Sequence, residues 1–274
     1  IPAYQICNLV KKECKVVLGG DGGDELFGGY IHHNRIMWMQ KNLGFIPQFI
    51  SHNISQITKK YLPSSIRGRN YLENMDIDLK SNLPIIACHF DLSTRHKLMS
   101  KYTHHPFIAE SVHAERVSNQ RDLLQRITRM DFENFLPEDC LVKIDRASML
   151  NSLEMRSPML DYRMIEFAFG KVPSYLKANS KDKKILLKLL ASRVLPQNFD
   201  KTRKQGFSIP FNDWLKTGPL RDFFWDTLTS KDCIFDHKTV HNLFKGQDNR
   251  GNNGERLFAL VQFELWRKTY NAIL

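Results

Sequence analysis

The sequence predicts an α/β chain that is predominantly helical, and three observations carry that class. One β-branched run, Lys15-Val16-Val17-Leu18-Gly19, ends in glycines and reads as a buried strand. A glycine-rich turn holding three acids follows it over residues 19–29. Beyond the turn, apolar residues recur every three to four positions almost to the end of the chain, the period of an amphipathic helix. A parallel sheet needs several strands joined by crossovers, so one strand followed by many helices is an odd free-standing unit.

The elements follow in order. Residues 2–13 carry Tyr4, Ile6, Leu9 and Val10 at helical spacing and close with Lys11 and Lys12, a short amphipathic helix. The strand comes next, and after the turn a helix begins near Asp24. Further helices are expected over residues 31–40, 47–61, 119–135, 139–150 and 254–272. Residues 63–69 and 103–106 read as connections, and residues 248–254, with Asn252-Asn253-Gly254, as a polar loop. No internal repeat is present.

With 274 residues, 42% hydrophobic and 25% charged, the chain can bury a sizeable core as one large domain or two small ones. The longest apolar run, around residues 186–190, is broken by Lys188, so no membrane partner is expected. Residues 1–8 lack the features of a secretory signal, and residue 1 is isoleucine, so a processed or truncated chain is expected. The five cysteines (Cys7, Cys14, Cys88, Cys140 and Cys233) form no CxxC pair and suit reduced thiols in a cytoplasm. The charge of +11 is compatible with nucleotide phosphates or nucleic acid. Its basic residues are dispersed, with concentrations only at 181–188 and 201–204, so a nucleic-acid surface is not expected.

The strongest chemical signal is Gly19-Gly20-Asp21-Gly22-Gly23-Asp24-Glu25-Leu26-Phe27-Gly28-Gly29-Tyr30. Its glycines can take positive φ and let a ligand approach the backbone. The N–H groups of the following helix would point at the turn, an arrangement that suits phosphate. The loop's own acids would repel phosphate unless a cation intervenes, and Mg²⁺ accepts carboxylate and phosphate oxygens together. Asp21 and Asp24 are the candidate metal ligands; the alternative is that Asp24 caps the helix while Glu25 complements its dipole.

Asp145, Arg146, Glu154, Arg156 and Asp161 form a second dense charge set, read first as an ion-pair network between neighbouring elements. In the functional alternative, Arg146 and Glu154 shape a pocket for an amino acid's carboxylate and ammonium. Pro158 would end the preceding helix and leave Asp161 to cap the next. The pairs His32-His33 and His104-His105 have no carboxylate–histidine spacing that supports zinc, so solvated or partly buried histidines are expected.

Residues 16–30 resemble a signature of the asparagine synthase family that reads close to S-G-D-G-G-D-E-x-F-G-G-Y, with Gly19 standing where serine is usual. Residues 143–149 with 152–161 are similar to its D-R-x-S-M and S-x-E-x-R-x-P-x-L-D block. Residues 204–210 with Trp214 resemble its K-x-G-F-x-x-P segment and following tryptophan. In the K-x-I-L-R element of the family, Lys183 matches the lysine that stabilises developing charge, Lys184 competes for the assignment, and Leu187 replaces the arginine.

The resemblance implies a fragment, residues 1–274, of a PP-loop ATP pyrophosphatase (adenine nucleotide alpha hydrolase-like) synthetase domain lacking its first strands. It implies ATP and Mg²⁺, with Lys183 and Asp24 catalytic. Gly19, Gly20, Asp21, Gly22, Gly23, Asp24, Glu25, Arg146 and Glu154 would bind nucleotide or substrate. The implied reaction amidates a carboxylate, aspartate by default, through an acyl-adenylate, releasing AMP and pyrophosphate. Its ammonia would come from an N-terminal glutaminase domain. That domain and an S-G-G-x-D-S loop are missing from these residues, which alone are expected to have little synthetase activity and to expose apolar surface near Val16 and Leu18. A homodimer is left open. The rival functions are amidation of a sugar, closure of a β-lactam or peptide ring, and, from another class, a non-catalytic basic helical binding module.

Overall fold

The computed structural model describes residues 1–62, 68–79, 83, 89–100, 111–112, 115–116, 122–200, 209–250 and 253–272. Pro2, whose fixed φ suits a first helical turn, opens α1 (Pro2–Val10), and Cys7 is its buried residue. Then come β1 (Val16–Leu18), α2 (Gly23–Phe27), α3 (Ile31–Leu43), α4 (Gln48–Tyr61), α5 (Arg69–Glu73) and α6 (Leu92–Leu98). Next, α7 (Leu123–Met130) runs into a π-helical stretch (Asp131–Leu141) and on into α8 (Val142–Met149). The wide turns contain Pro137, which has no N–H to offer an α-helical ladder.

β2 (Glu154–Arg156) follows, then a 3₁₀ turn (Pro158–Leu160), α9 (Tyr162–Gly170), α10 (Ser174–Lys177) and α11 (Ile185–Val194). The last elements are α12 (Phe211–Trp214), α13 (Pro219–Thr229), α14 (His237–Arg250) and α15 (Gly254–Thr269). No helix among the described residues is long and apolar enough to cross a membrane.

The expected lone strand has a partner. β1 and β2 pair in parallel, with Val16 opposite Glu154, Val17 opposite Met155 and Leu18 opposite Arg156. Gly19 N–H donates to the Arg156 carbonyl (2.8 Å) and Glu154 N–H to the Lys15 carbonyl (2.9 Å), extending the ladder at both ends. A three-residue Glu-Met-Arg segment has no strand-like composition, so only its pairing reveals it. This also corrects the role given to Pro158. The helix before it stops at Met149, Ser152 takes a left-handed φ of 52°, and Pro158 instead opens the 3₁₀ turn. Asp161 does cap α9, accepting from Arg163 N–H at 2.9 Å. Val16 and Leu18 are exposed, Leu18 at 72%: the apolar surface expected near them is present, while the buried strand read from composition is corrected.

Two compact units emerge. The first holds residues 1–46, 77–84 and 112–207, and the second 47–76, 85–111 and 208–274. In the first, Leu26 and Phe27 of α2 are buried with Ala168 and Val172, and Leu186 and Leu187 pack against them. A smaller cluster joins Cys7, Ala147 and Leu153. In the second, Phe211, Leu215, Phe224, Leu228, Phe244 and Leu257 belong to one continuous core. Phe211 stacks on Phe258 with ring centroids 4.4 Å apart, and Trp225 meets Phe244 edge-on at 5.0 Å. Cys7, Cys14, Cys140 and Cys233 are free thiols; Cys88 lies outside the described residues.

Candidate active site

Every group of the candidate site lies in the first unit, around the turn that β1 delivers to α2. Gly22, at φ 89°, is the N-cap of α2, and no side chain caps that helix, so the capping alternative for Asp24 does not hold. An added Cβ at Gly22 would overlap Leu160 Cδ2, and one at Gly29 would overlap Asp24 Oδ1 and Lys184 Cε. At Gly20 and Gly23 an added Cβ meets nothing, so the turn combines open glycines with crowded ones.

Asp24 Oδ1 stands 3.0 Å from Lys184 Nζ in a half-buried pair, the side chains 23% and 30% exposed. Lys184 reaches it from a left-handed conformation, φ 51° and ψ 40°, at the N-cap of α11. Such a backbone costs an L-residue about 1–2 kcal/mol and persists only where its surroundings hold it. The surroundings here are specific. Asn34 of α3 donates to the carbonyls of Asn179 and Asp182 (3.1 Å for the latter), and Asn179 Oδ1 accepts from the N–H groups of Lys181 and Asp182, each at 2.8 Å. Lys183 N–H donates to Asp182 Oδ1 at 2.7 Å. Of the two lysines weighed from sequence, Lys184 has its ammonium against Asp24. Leu187, where an arginine was the pattern, packs beside Leu26 and Phe27 as part of the core.

Glu25 departs from the nucleotide-binding role expected of it. It is 1% exposed and accepts a short hydrogen bond from the Tyr30 hydroxyl. Burial raises its carboxyl above the ordinary range, against the pull of that hydrogen bond, and burial together with Glu25 pushes the Tyr30 phenol up in turn. Its place in the loop is explained by anchoring α2, while Asp21 and Asp24 remain half-buried at the turn. Gly19 also has a structural reading: a Cβ there would lie 2.9 Å from Asp21 Oδ2 and 3.1 Å from Met155 Sδ.

Behind the loop, a convergence invisible in sequence spacing appears. His32 Nε2 and His33 Nε2 lie 2.7 and 2.6 Å from the same atom, Asp131 Oδ2. His33 is fully buried rather than solvated, and burial lowers its pKa although Asp131 opposes the shift. Burial alone would raise the Asp131 carboxyl, but the hydrogen bonds from both histidines hold it below its usual range. Asp131 lies far along the chain, so no local pattern could have announced it. His104 and His105 lie outside the described residues, as do residues 204–208 of the expected K-x-G-F segment.

The expected network among Asp145, Arg146, Glu154, Arg156 and Asp161 does not form as such. Arg156 pairs with Glu154 (2.8 Å) and Arg163 with Asp161 (2.8 Å), each two residues away and exposed. Arg146 is exposed and makes no ion pair among the described residues. Only Asp145 and Arg146 lie on a helix, α8; Glu154 and Arg156 lie on β2 and Asp161 follows a 3₁₀ turn, so helical spacing does not link the set.

A profile of the family described as Asparagine synthase matches residues 1–268. The chain belongs to the asparagine synthase family. Asparagine synthetase [glutamine-hydrolyzing] 1 of Bacillus subtilis is 25% identical over 276 residues, covering 97% of this chain and 42% of that protein. A Mycobacterium bovis protein, provisionally named as a glutamine-hydrolyzing asparagine synthetase, is 26% identical over 276 residues, covering 98% of this chain and 42% of that protein. One from Methanocaldococcus jannaschii, also provisionally named, is 29% identical over 171 residues, 54% of this chain and 28% of its own. The chain therefore spans about two fifths of the length of the first two relatives. No solved structure matches it significantly. For a member of this family, the loop at residues 19–30 and the lysines at 183 and 184 are the natural places to seek chemistry.

Proposed function

We propose that this chain forms the nucleotide-facing part of an ATP-dependent carbon–nitrogen ligase that amidates a carboxylate, with aspartate as the first acceptor to test. The observation that carries the reading is the juxtaposition of Asp24 with Lys184 against Gly29, in the same glycine-rich turn that holds the open Gly20 and Gly23. Opposite charges from distant parts of the chain meet where backbone can approach a ligand. That its relatives are named glutamine-hydrolyzing asparagine synthetases supports amide formation.

In the proposed reaction, a carboxylate oxygen of the acceptor attacks the α-phosphorus of ATP. The bond to the β-phosphate oxygen breaks, giving an acyl-adenylate and pyrophosphate. Ammonia then attacks the activated carbonyl carbon, loses a proton, and expels AMP to leave the amide. A free carboxylate has no adequate leaving group for ammonia, and adenylation supplies one. Lys183, at the position the family motif marks, would offset the charge that grows first on phosphorus and then on the tetrahedral carbon. Lys184 would hold Asp24 in place, and Gly20 and Gly23 would admit the phosphates to the backbone.

The donor set suits a magnesium ion, since hard carboxylate oxygens are its usual protein ligands and Asp21 and Asp24 both stand half-buried at the turn. Asp21 and Asp24 would hold that ion, which supplies positive charge to phosphate oxygens. Glu25 and Tyr30, buried together, act by anchoring α2. The decisive experiment is calorimetry of ATP binding with and without magnesium, alongside pyrophosphate release on adding aspartate and ammonia. Magnesium-dependent ATP binding that disappears in Asp24→Ala is expected, and equal affinity in the two proteins would end this reading. Comparing aspartate with amino-sugar precursors and β-amino acids as acceptors separates the rival substrates within the class.

A further inference from the structure

We infer that His32, His33 and Asp131 form a binding site for a transition-metal ion of the zinc class, distinct from the magnesium ligands proposed at the loop. The three donor atoms, two imidazole Nε2 and one carboxylate oxygen, lie within 4.8 Å of one another, the one such group among the described residues. Two nitrogens and one oxygen are a borderline-soft set that prefers zinc, cobalt or nickel to magnesium.

The separations are close to what coordination requires. Ligands about 2.1 Å from a tetrahedral ion stand about 3.4 Å apart, so the present 2.6 and 2.7 Å need to open by about 0.8 Å. Such opening is a small rotation of three side chains. The fourth position would go to water.

The surroundings are those of a built site rather than a surface accident. His33 is entirely buried and Asp131 nearly so, while the Tyr30 ring stacks on His32 at 5.2 Å with its plane tilted by only 14°. His33 Nδ1 is buried without a hydrogen-bond partner. Both Nε2 atoms face Asp131 at hydrogen-bond distance, and a metal would displace the protons held there. The ion would fasten the first turn of α3 to the first residue of the π-helical stretch, directly behind the glycine-rich loop.

The test is titration of the metal-stripped chain with Co²⁺, read by its d–d absorption, and with Zn²⁺ against a chromophoric chelator. One equivalent should bind with tetrahedral cobalt bands. Affinity should fall at least tenfold in His32→Ala and in Asp131→Asn. It should be unchanged in Asp21→Asn/Asp24→Asn, which separates this site from the loop, and in His52→Ala, a control histidine 3.8 Å from Asp76. Circular dichroism confirms folding. Should Asp131→Asn fail to fold, His32→Ala decides alone, because that ring is partly exposed: zinc should raise the thermal midpoint of the parent chain and not of this variant. Absent cobalt bands, or equal affinity in parent and His32→Ala, would overturn the site.

Discussion

The two units hold their best-defined ion pairs differently. In the second, Arg69 is 4% exposed, yet its Nη1 meets both Glu73 (2.7 Å) and Asp91 (3.0 Å) and its Nε donates to the Leu62 carbonyl (2.9 Å). Asp91 in turn caps α6 by accepting from Thr94 N–H. The Arg69 guanidinium is thus paired within its own neighbourhood, and the helices of this unit pack around a continuous aromatic core. In the first unit the core is divided into smaller clusters, and charges meet half-exposed beside open glycines. A buried, fully paired network specifies a shape, whereas a half-exposed pair keeps its charge available to a ligand. The second unit also has a cleft of about 400 Å³ lined by Lys59, Lys60 and Lys97, but Lys59 is already paired with Asp76.

That contrast is broken most severely by truncating the aromatic core. Phe244→Ala should cost about 3–5 kcal/mol of stability, measured by urea denaturation. Nucleotide affinity should stay at the parent value wherever the variant remains folded; a parallel loss of affinity would mean the two regions are not separable. Next in size, Asp24→Ala should weaken magnesium-dependent ATP binding by about 100-fold or more while moving the thermal midpoint only slightly. A large midpoint drop would recast the Asp24–Lys184 pair as structural.

The lysines come third. Lys183→Met should lower the rate of pyrophosphate release with little change in ATP affinity, whereas Lys184→Met should weaken ATP binding itself. The reverse pattern would exchange their assignments. Gly20→Ala is subtler: it adds a methyl group where nothing is touched, so stability should hold while ATP affinity falls about tenfold. Unchanged affinity would show that the ligand does not approach there.

The smallest expected effect is a pH dependence. Lys177 is 0% exposed, with Nζ donating to Gln125 Oε1 at 3.0 Å, and burial lowers its pKa from 10.5 to about 8. Between those values the unfolded chain binds more protons than the folded one, so stability should rise with pH from about 8 towards 10. Above that, the raised pKa of Tyr30 reverses the trend, because the unfolded phenol ionises first. Lys177→Met should flatten the rise in a series of urea melts.

Much of this was legible in one dimension because it is local. A period of three to four residues announces α1, α3, α4 and α15, and the Val16–Leu18 run announces a strand, since each pattern follows from backbone geometry over a few residues. The Asp-Gly-Gly-Asp-Glu turn declares itself by composition. The same locality hid β2, whose Glu-Met-Arg sequence becomes a strand only by pairing with β1. It also hid the π-helical stretch between two helices that periodicity had marked.

What the sequence determined by itself is family, helical character and the chemistry available at the loop. Only the tertiary structure decided which groups share that chemistry. It turned Glu25 inward to Tyr30, set Lys184 on Asp24, and brought His32 and His33 to Asp131. The reason is geometric: a hydrogen bond or ion pair depends on separations of about 3 Å, and chain spacing specifies such distances only within a turn or two of regular structure.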